Sequence, residues 1–188
     1  NWPKHQAQNF AWWRARFAAA RRCFDLIRLD HFRGFDRYFA VDGAAKDGRE
    51  GEWLQGPGSA LLDALLGDLD DQPMIAEDLG LIDASVRALK ARFELPGMHV
   101  LQFAEPARAT SPHLPSNHRE AGVGYLGTHD NPTTKGWWTE LSSAEKQALG
   151  AALNLDEQPN GGDFAARLNA SKCRLVIHTA QDLLDLGD

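Results

Sequence analysis

Apolar positions along this chain switch period several times, between the three- and four-residue steps of helices and short unbroken runs that end in charge. Gln6 to Phe24 carries Phe10, Trp13, Phe17 and Ala20 at helical steps and predicts one packing helix, with Trp12 also counted among its core aromatics. Leu26 to Leu29 has the length and branching of a buried strand, interrupted by Arg28 alone. Arg33 to Pro57 reads as a long irregular stretch in which Gly34, Gly43, Gly48, Gly51, Gly56 and Pro57 lie among scattered charges, and a connection of that size is usually a functional loop. Ser59 to Leu69 returns to helical spacing, Pro73 to Ala76 is a second short strand, Ala84 to Phe93 an amphipathic helix, and Met98 to Phe103 a third strand introduced by Pro96-Gly97. Ala104 to Glu120 is another loop, and Gly122 to Gly127 a fourth strand. Beyond it lie an exposed segment with Trp137 and Trp138, a helix opened by Ser142 with Glu145 three residues on, a break at Gly161-Gly162, and a helix from Phe164 to Ala170. A weaker fifth strand, Arg174 to Thr179, precedes the closing stretch Gln181 to Leu186. The fold class is therefore α/β, since strand alternating with helix argues a parallel sheet with helical crossovers.

In such sheets the chemistry gathers at the C-terminal ends of the strands. Three of the five expected strands end in an acid: Asp30, Glu77 and Asp130. Side chains two apart on a strand share a face, so Arg28 and Asp30 project together while Ile27 and Leu29 face the other way. A carboxylate beside a guanidinium suits an attacking nucleophile, although the same pair also reads as a structural ion pair at a strand end. Glu77 follows apolar Met74-Ile75-Ala76 with no adjacent base, a setting that suits a general acid, and Asp78 beside it brings a second carboxyl into play. If these two strands pair at the ~4.8 Å spacing of parallel neighbours, their carboxylates come within roughly 5 to 6 Å. Retaining glycosidases hold their two carboxyl groups about 5 to 5.5 Å apart, whereas inverting ones need roughly 6.5 to 9.5 Å to seat a water. His129 and Asp130 at a third strand end could bind sugar hydroxyls and stabilise an oxocarbenium-like transition state.

Composition narrows the classes further. Length and a 43% apolar content fit a single soluble globular domain. With 26 acidic against 20 basic residues and no basic stripe, neither nucleic acid nor an anionic membrane is an expected partner. The opening Asn1-Trp2-Pro3-Lys4-His5 is neither a signal peptide nor an initiator methionine, so the expectation is a chain cut from something longer. Cys23 and Cys173 show no metal or redox spacing; both are expected to be small packing residues in a reducing, cytoplasmic setting. The seven histidines, His31, His99 and His129 among them, lack ligand spacing, and no metal or other cofactor is expected.

Four blocks then carry a resemblance. Arg28-Leu29-Asp30-His31-Phe32-Arg33-Gly34-Phe35, Ile75-Ala76-Glu77-Asp78-Leu79-Gly80, Pro96-Gly97-Met98-His99-Val100-Leu101-Gln102-Phe103 and Gly127-Thr128-His129-Asp130-Asn131 resemble the signature blocks of the 4-alpha-glucanotransferases, or amylomaltases. Gly51 to Gly58 and Gln181-Asp182-Leu183-Leu184 resemble further segments of that family. The resemblance implies a partial TIM (β/α)8 barrel of the alpha-amylase clan, about five parallel βα units from the C-terminal part of the catalytic barrel, forming one truncated domain over residues 1–188. It implies Asp30 as nucleophile, Glu77 as general acid/base and Asp130 as transition-state stabiliser, with Arg28 orienting Asp30, His129 contacting the sugar and Phe103 on the acceptor side. A core role for Phe103 is the alternative. The implied reaction moves alpha-1,4-glucan segments between maltooligosaccharides, and the implied partners are those glucans and the missing remainder of the barrel. A hydrolase of the same clan, and an inactive barrel fragment or glucan-binding remnant, are the competing readings.

Overall fold

The first helix of the chain stops where its apolar spacing would carry it on. Helix α1 (Trp2–Ala7) and helix α2 (Ala11–Arg21) are separated by Asn9 and Phe10, both with positive φ, so the single helix expected from Gln6 to Phe24 is broken. An unbroken helix would set Trp2 and Trp13 about 16 Å apart along its axis. The break instead stacks their rings at 5.6 Å and brings both onto Phe35. A left-handed conformation costs about 1–2 kcal/mol at a residue with a Cβ, and burying a phenylalanine returns about 1.5–3; Phe10 is 3% exposed. Trp12, by contrast, lies 53% exposed under Arg16 and is not a core residue, and Cys23, expected to be packed, is exposed as well.

The computed structural model describes residues 1–67 and 74–187 and divides into two compact units, Asn1–Gly97 and Met98–Asp188. In the first, strand β1 (Ile27–Leu29) is followed by a single helical turn, α3 (Arg33–Asp36). The stretch from Arg33 to Pro57 is not irregular. Strand β2 (Arg37–Ala40) pairs antiparallel with strand β3 (Glu52–Gln55), Phe39 opposite Trp53. Its glycines and charges fill the connection between the two strands, which hides the pairing from any local pattern.

Helix α4 (Gly58–Leu66) buries Leu61, Leu62, Leu65 and Leu66, the repeating face that its spacing predicts. The expected end of this helix at Leu69 and the expected strand start at Pro73 lie outside the described residues. Strand β4 (Met74–Ala76) is buried throughout and pairs parallel with β1 in the register Ile27↔Met74, Arg28↔Ile75, Leu29↔Ala76. Helix α5 (Ala84–Arg92) is capped by Asp83, whose carboxylate accepts the Val86 N–H, and buries Val86 and Leu89. The core of this unit joins these faces to Phe10, Met74 and the fully buried Phe32.

The second unit is a three-stranded parallel sheet with helices. Strand β5 (Met98–Val100) pairs with β6 (Val123–Tyr125), and β6 with β7 (Leu175–Ile177), in the order β5-β6-β7. The strand expected to run to Phe103 ends three residues sooner, because Leu101–Phe103 winds into a 3₁₀ turn that buries Leu101. Helices α6 (Thr134–Glu140), α7 (Ser143–Leu153) and α8 (Gly161–Asn169) lie between β6 and β7, and α9 (Ala180–Leu183) follows. Trp137 and Trp138 are not the exposed segment expected of them: they sit in α6 and meet the buried ring of Phe164 at 6.1 and 5.4 Å. The Ser142–Glu145 capping box opens α7 as its spacing predicts. Gly161-Gly162 is the first turn of α8 rather than a break. A second capping box, Asn160 with Asp163, starts the helix there, and a Cβ on Gly161 would collide with the Asp182 carbonyl.

Beneath this sheet the His99 and His118 rings stack at 4.4 Å, with the His113 carbonyl 3.2 Å from His118 Nε2 and the Cys173 thiol 3.5 Å from its Nδ1. Burial, followed by the neighbouring His99, pushes the His118 pKa down to about 4. A buried neutral imidazole takes up its proton more readily once unfolded, so the unit loses stability as pH falls from 6.5 toward 4. We expect a decline in denaturation midpoint over that range, flattened in His118→Gln; an unchanged slope in the variant would remove His118 as its source.

Candidate functional site

In the first unit the register of β1 on β4 decides what faces what. Leu29 lies opposite Ala76, so the next residues, Asp30 and Glu77, leave the ladder side by side. The strand alternation puts Arg28 on the same face as Asp30, and their side chains meet at 2.8 Å, Nη1 to Oδ1. Arg28 is 27% exposed at its side chain and Asp30 73%, so the pair presents its carboxylate to solution from a mostly covered guanidinium.

Glu77 is held differently. Its Oε2 accepts the His31 N–H at 2.6 Å and its Oε1 the Leu79 N–H at 3.1 Å, while its own N–H donates to the Leu29 carbonyl and its carbonyl accepts the Phe32 N–H. The apolar lining expected around this carboxyl is thus replaced by two amide donors. Asp78, expected to interact with Glu77, is engaged by Lys90 of α5 and by further contacts. His31 adopts φ +47, which turns its N–H toward Glu77, and Phe32 anchors the turn by complete burial. The sequence reading missed both roles; the signal was the apolar Phe32 inside an otherwise polar block.

The remaining predicted residues belong to the second unit. His129 and Asp130 lie in the loop beyond β6, with His129 Nε2 3.4 Å from Asp130 Oδ2 and both side chains at least 70% exposed. Asp130 is therefore not at the last residue of a strand; the ladder ends at Tyr125. Asn131 Oδ1 accepts from the Thr128 N–H and hydroxyl at 2.9 and 2.8 Å, and Gln102 Nε2 donates to the Pro132 carbonyl at 2.9 Å. The buried Asp182 takes the Thr134 N–H at 2.7 Å, so the loop is tied at three successive points. Phe103 is 42% exposed and meets His113 edge-on at 5.9 Å, which places it outside the core of its unit. Among the described residues no three His, Cys, Asp or Glu side chains converge as a metal would require.

The family model described as 4-alpha-glucanotransferase matches residues 1–188. This chain belongs to that family. A 4-alpha-glucanotransferase of Solanum tuberosum, named as chloroplastic/amyloplastic, is 41% identical over 188 residues, covering 100% of this chain and 33% of that protein. One from Synechocystis is 39% identical over 193 residues, covering 100% of this chain and 38% of that protein. Among solved structures, the amylomaltase of Streptococcus agalactiae in complex with acarbose matches with a TM-score of 0.93 at 32% identity, over 100% of this chain and 38% of its own. The chain thus spans between a third and two fifths of the length of these 4-alpha-glucanotransferases.

The two-donor grip gives Glu77 a structural role. An amide in its place keeps one acceptor and turns an NH₂ toward the other N–H, leaving that donor unpaired. We expect Glu77→Gln to lower unfolding free energy by about 1–3 kcal/mol in urea titration. Unchanged stability would dismiss the grip.

Proposed function

We propose that this chain carries the carboxylate machinery of a 4-alpha-glucanotransferase that moves alpha-1,4-glucan segments between maltooligosaccharides with retention of configuration. The observation that supports this most is the parallel β1–β4 register, which sets Asp30, ion-paired to Arg28, beside Glu77. In the proposed reaction Asp30 attacks the anomeric carbon while Glu77 protonates the departing glycosidic oxygen, giving a covalent glycosyl-enzyme. Glu77, now a base, removes a proton from the acceptor hydroxyl, and the glucan chain passes to that acceptor. Arg28 orients Asp30 through its planar fork.

The roles of Asp130 as transition-state stabiliser, His129 as sugar contact and Phe103 on the acceptor side rest on the family motifs. So does the architecture proposed for the whole, a single domain of about five βα units from the C-terminal part of a (β/α)8 barrel completed by the remainder of the protein. A cytoplasmic setting accords with two free, sparse thiols.

Maltotriose as sole substrate of the full-length protein tests the reading. We expect a ladder of longer glucans together with glucose, abolished by Asp30→Asn; glucose and maltose without longer products would make the protein a hydrolase of the same clan, and normal transfer by Asp30→Asn would reject the nucleophile. Arg28→Lys keeps the charge and loses the bidentate geometry. It should reduce kcat by at least about tenfold with little change in thermal midpoint, whereas a mild phenotype would leave the Arg28–Asp30 contact as a structural ion pair.

A further inference from the structure

Within the first unit a cavity of about 430 Å³ is lined by Arg33, Arg37, Trp53, Leu81, Ile82 and Asp83, and neither Asp30 nor Glu77 is among its walls. That volume falls in the range of roughly 300 to 1,000 Å³ typical of small-molecule sites. Two of its walls are apolar and open to water, Trp53 at 55% and Leu81 at 86% exposure. The Trp53 ring is fixed before any ligand arrives: Phe39 meets it edge-on at 5.4 Å from the paired strand, and the Arg33 guanidinium lies over it at 4.9 Å.

The polar walls are equally fixed. Arg33 Nη1 donates to the Leu81 carbonyl at 2.7 Å, and Arg37 Nη2 to Asp83 at 2.9 Å, while Arg37 Nε also faces Asp36 at 3.4 Å. Hydrogen bonds from Ser85 and from the Val86 N–H hold the Asp83 carboxyl below its usual value, so it stays an acceptor. The two guanidiniums face Asp83 within the lining, and Asp36, buried outside it, balances Arg37 from behind. An anion entering the cavity would meet Asp83, and a cation would meet both arginines. A neutral ligand with an apolar face and ring hydroxyls satisfies every wall at once, the face on Trp53 and Leu81 and the hydroxyls on Arg37 and Asp83.

We infer that this cavity is a sugar-binding site for one or two pyranose units of a neutral oligosaccharide, with walls that do not include the Asp30–Glu77 pair. The inference stands on the chemistry of the cavity and does not require the proposed transfer reaction.

The test is titration of the full-length protein with maltose, and separately with sodium sulfate, reading the Trp53 indole N–H by nitrogen-15 NMR. We expect a saturable Trp53 shift with maltose, retained in Asp30→Asn and weakened about tenfold or more in Asp83→Asn, where asparagine still caps α5 but the charged acceptor is gone. A Trp53 signal that does not move with maltose, that moves only with sulfate, or that loses its response in Asp30→Asn overturns the assignment. A Trp53 shift in a protein without transferase activity would leave this site standing and remove the proposed function instead.

Discussion

The placement of Asp30 beside Glu77 depends on one short parallel contact, three residues of β1 against three of β4. Each strand is too brief to be stable alone, and the hydrogen bonds that continue past the ladder extend it. The Glu77 N–H reaches Leu29, and the Phe32 N–H reaches back to Glu77. Because register in a parallel pair moves every side chain together, a slip by one residue would turn Glu77 to the opposite face from Asp30. Met74 and Ala76 resist that slip by packing into the core of this unit, and Ile75, which alternates with them, is buried as well.

The turn after β1 shows how local strain is offset. His31 sits in the left-handed region, at a cost of about 1–2 kcal/mol for a residue with a Cβ. A hydrogen bond contributes about 0.5–1.5 kcal/mol, and complete burial of Phe32 about 1.5–3 more. The strain therefore persists, and its effect is to aim an amide donor at Glu77 while the Asp30 side chain remains 73% exposed. The loop bearing His129 and Asp130 solves the same positioning problem without positive φ, by side chains: Asn131, Gln102 and Asp182 each hold a backbone group of the loop. In both places exposed acids are supported by backbone held through buried or half-buried residues.

Much of this was legible in the order of residues. Period and branching located the parallel strands and helices α4, α5 and α7, and Ser142 with Glu145 marked a helix start by its capping chemistry. The Arg28–Asp30 pair followed from alternation alone. What escaped was non-local. Nothing near Phe39 indicates that Trp53 will lie across from it, and nothing in the helical run of aromatics indicates that Trp2 will fold back on Trp13. Trp137 and Trp138 looked exposed among polar neighbours because their partner, Phe164, comes from a later helix.

The order of residues by itself determined that parallel strands alternate with helices, that Asp30 and Glu77 directly follow two of those strands, and that the blocks around Asp30, Glu77 and Asp130 carry the family's signature, because period, branching and motif spacing are properties of neighbours along the chain. Only the tertiary structure decided that Glu77 is gripped by two amides rather than lined by apolar groups, that Asp78 is engaged by Lys90, and that Arg33, Trp53 and Asp83 enclose one cavity. Apart from the Leu79 amide, two residues from Glu77, those arrangements join residues twelve to fifty positions apart, and which partner a polar group finds at that distance is set by the packing of cores, to which no local pattern has access.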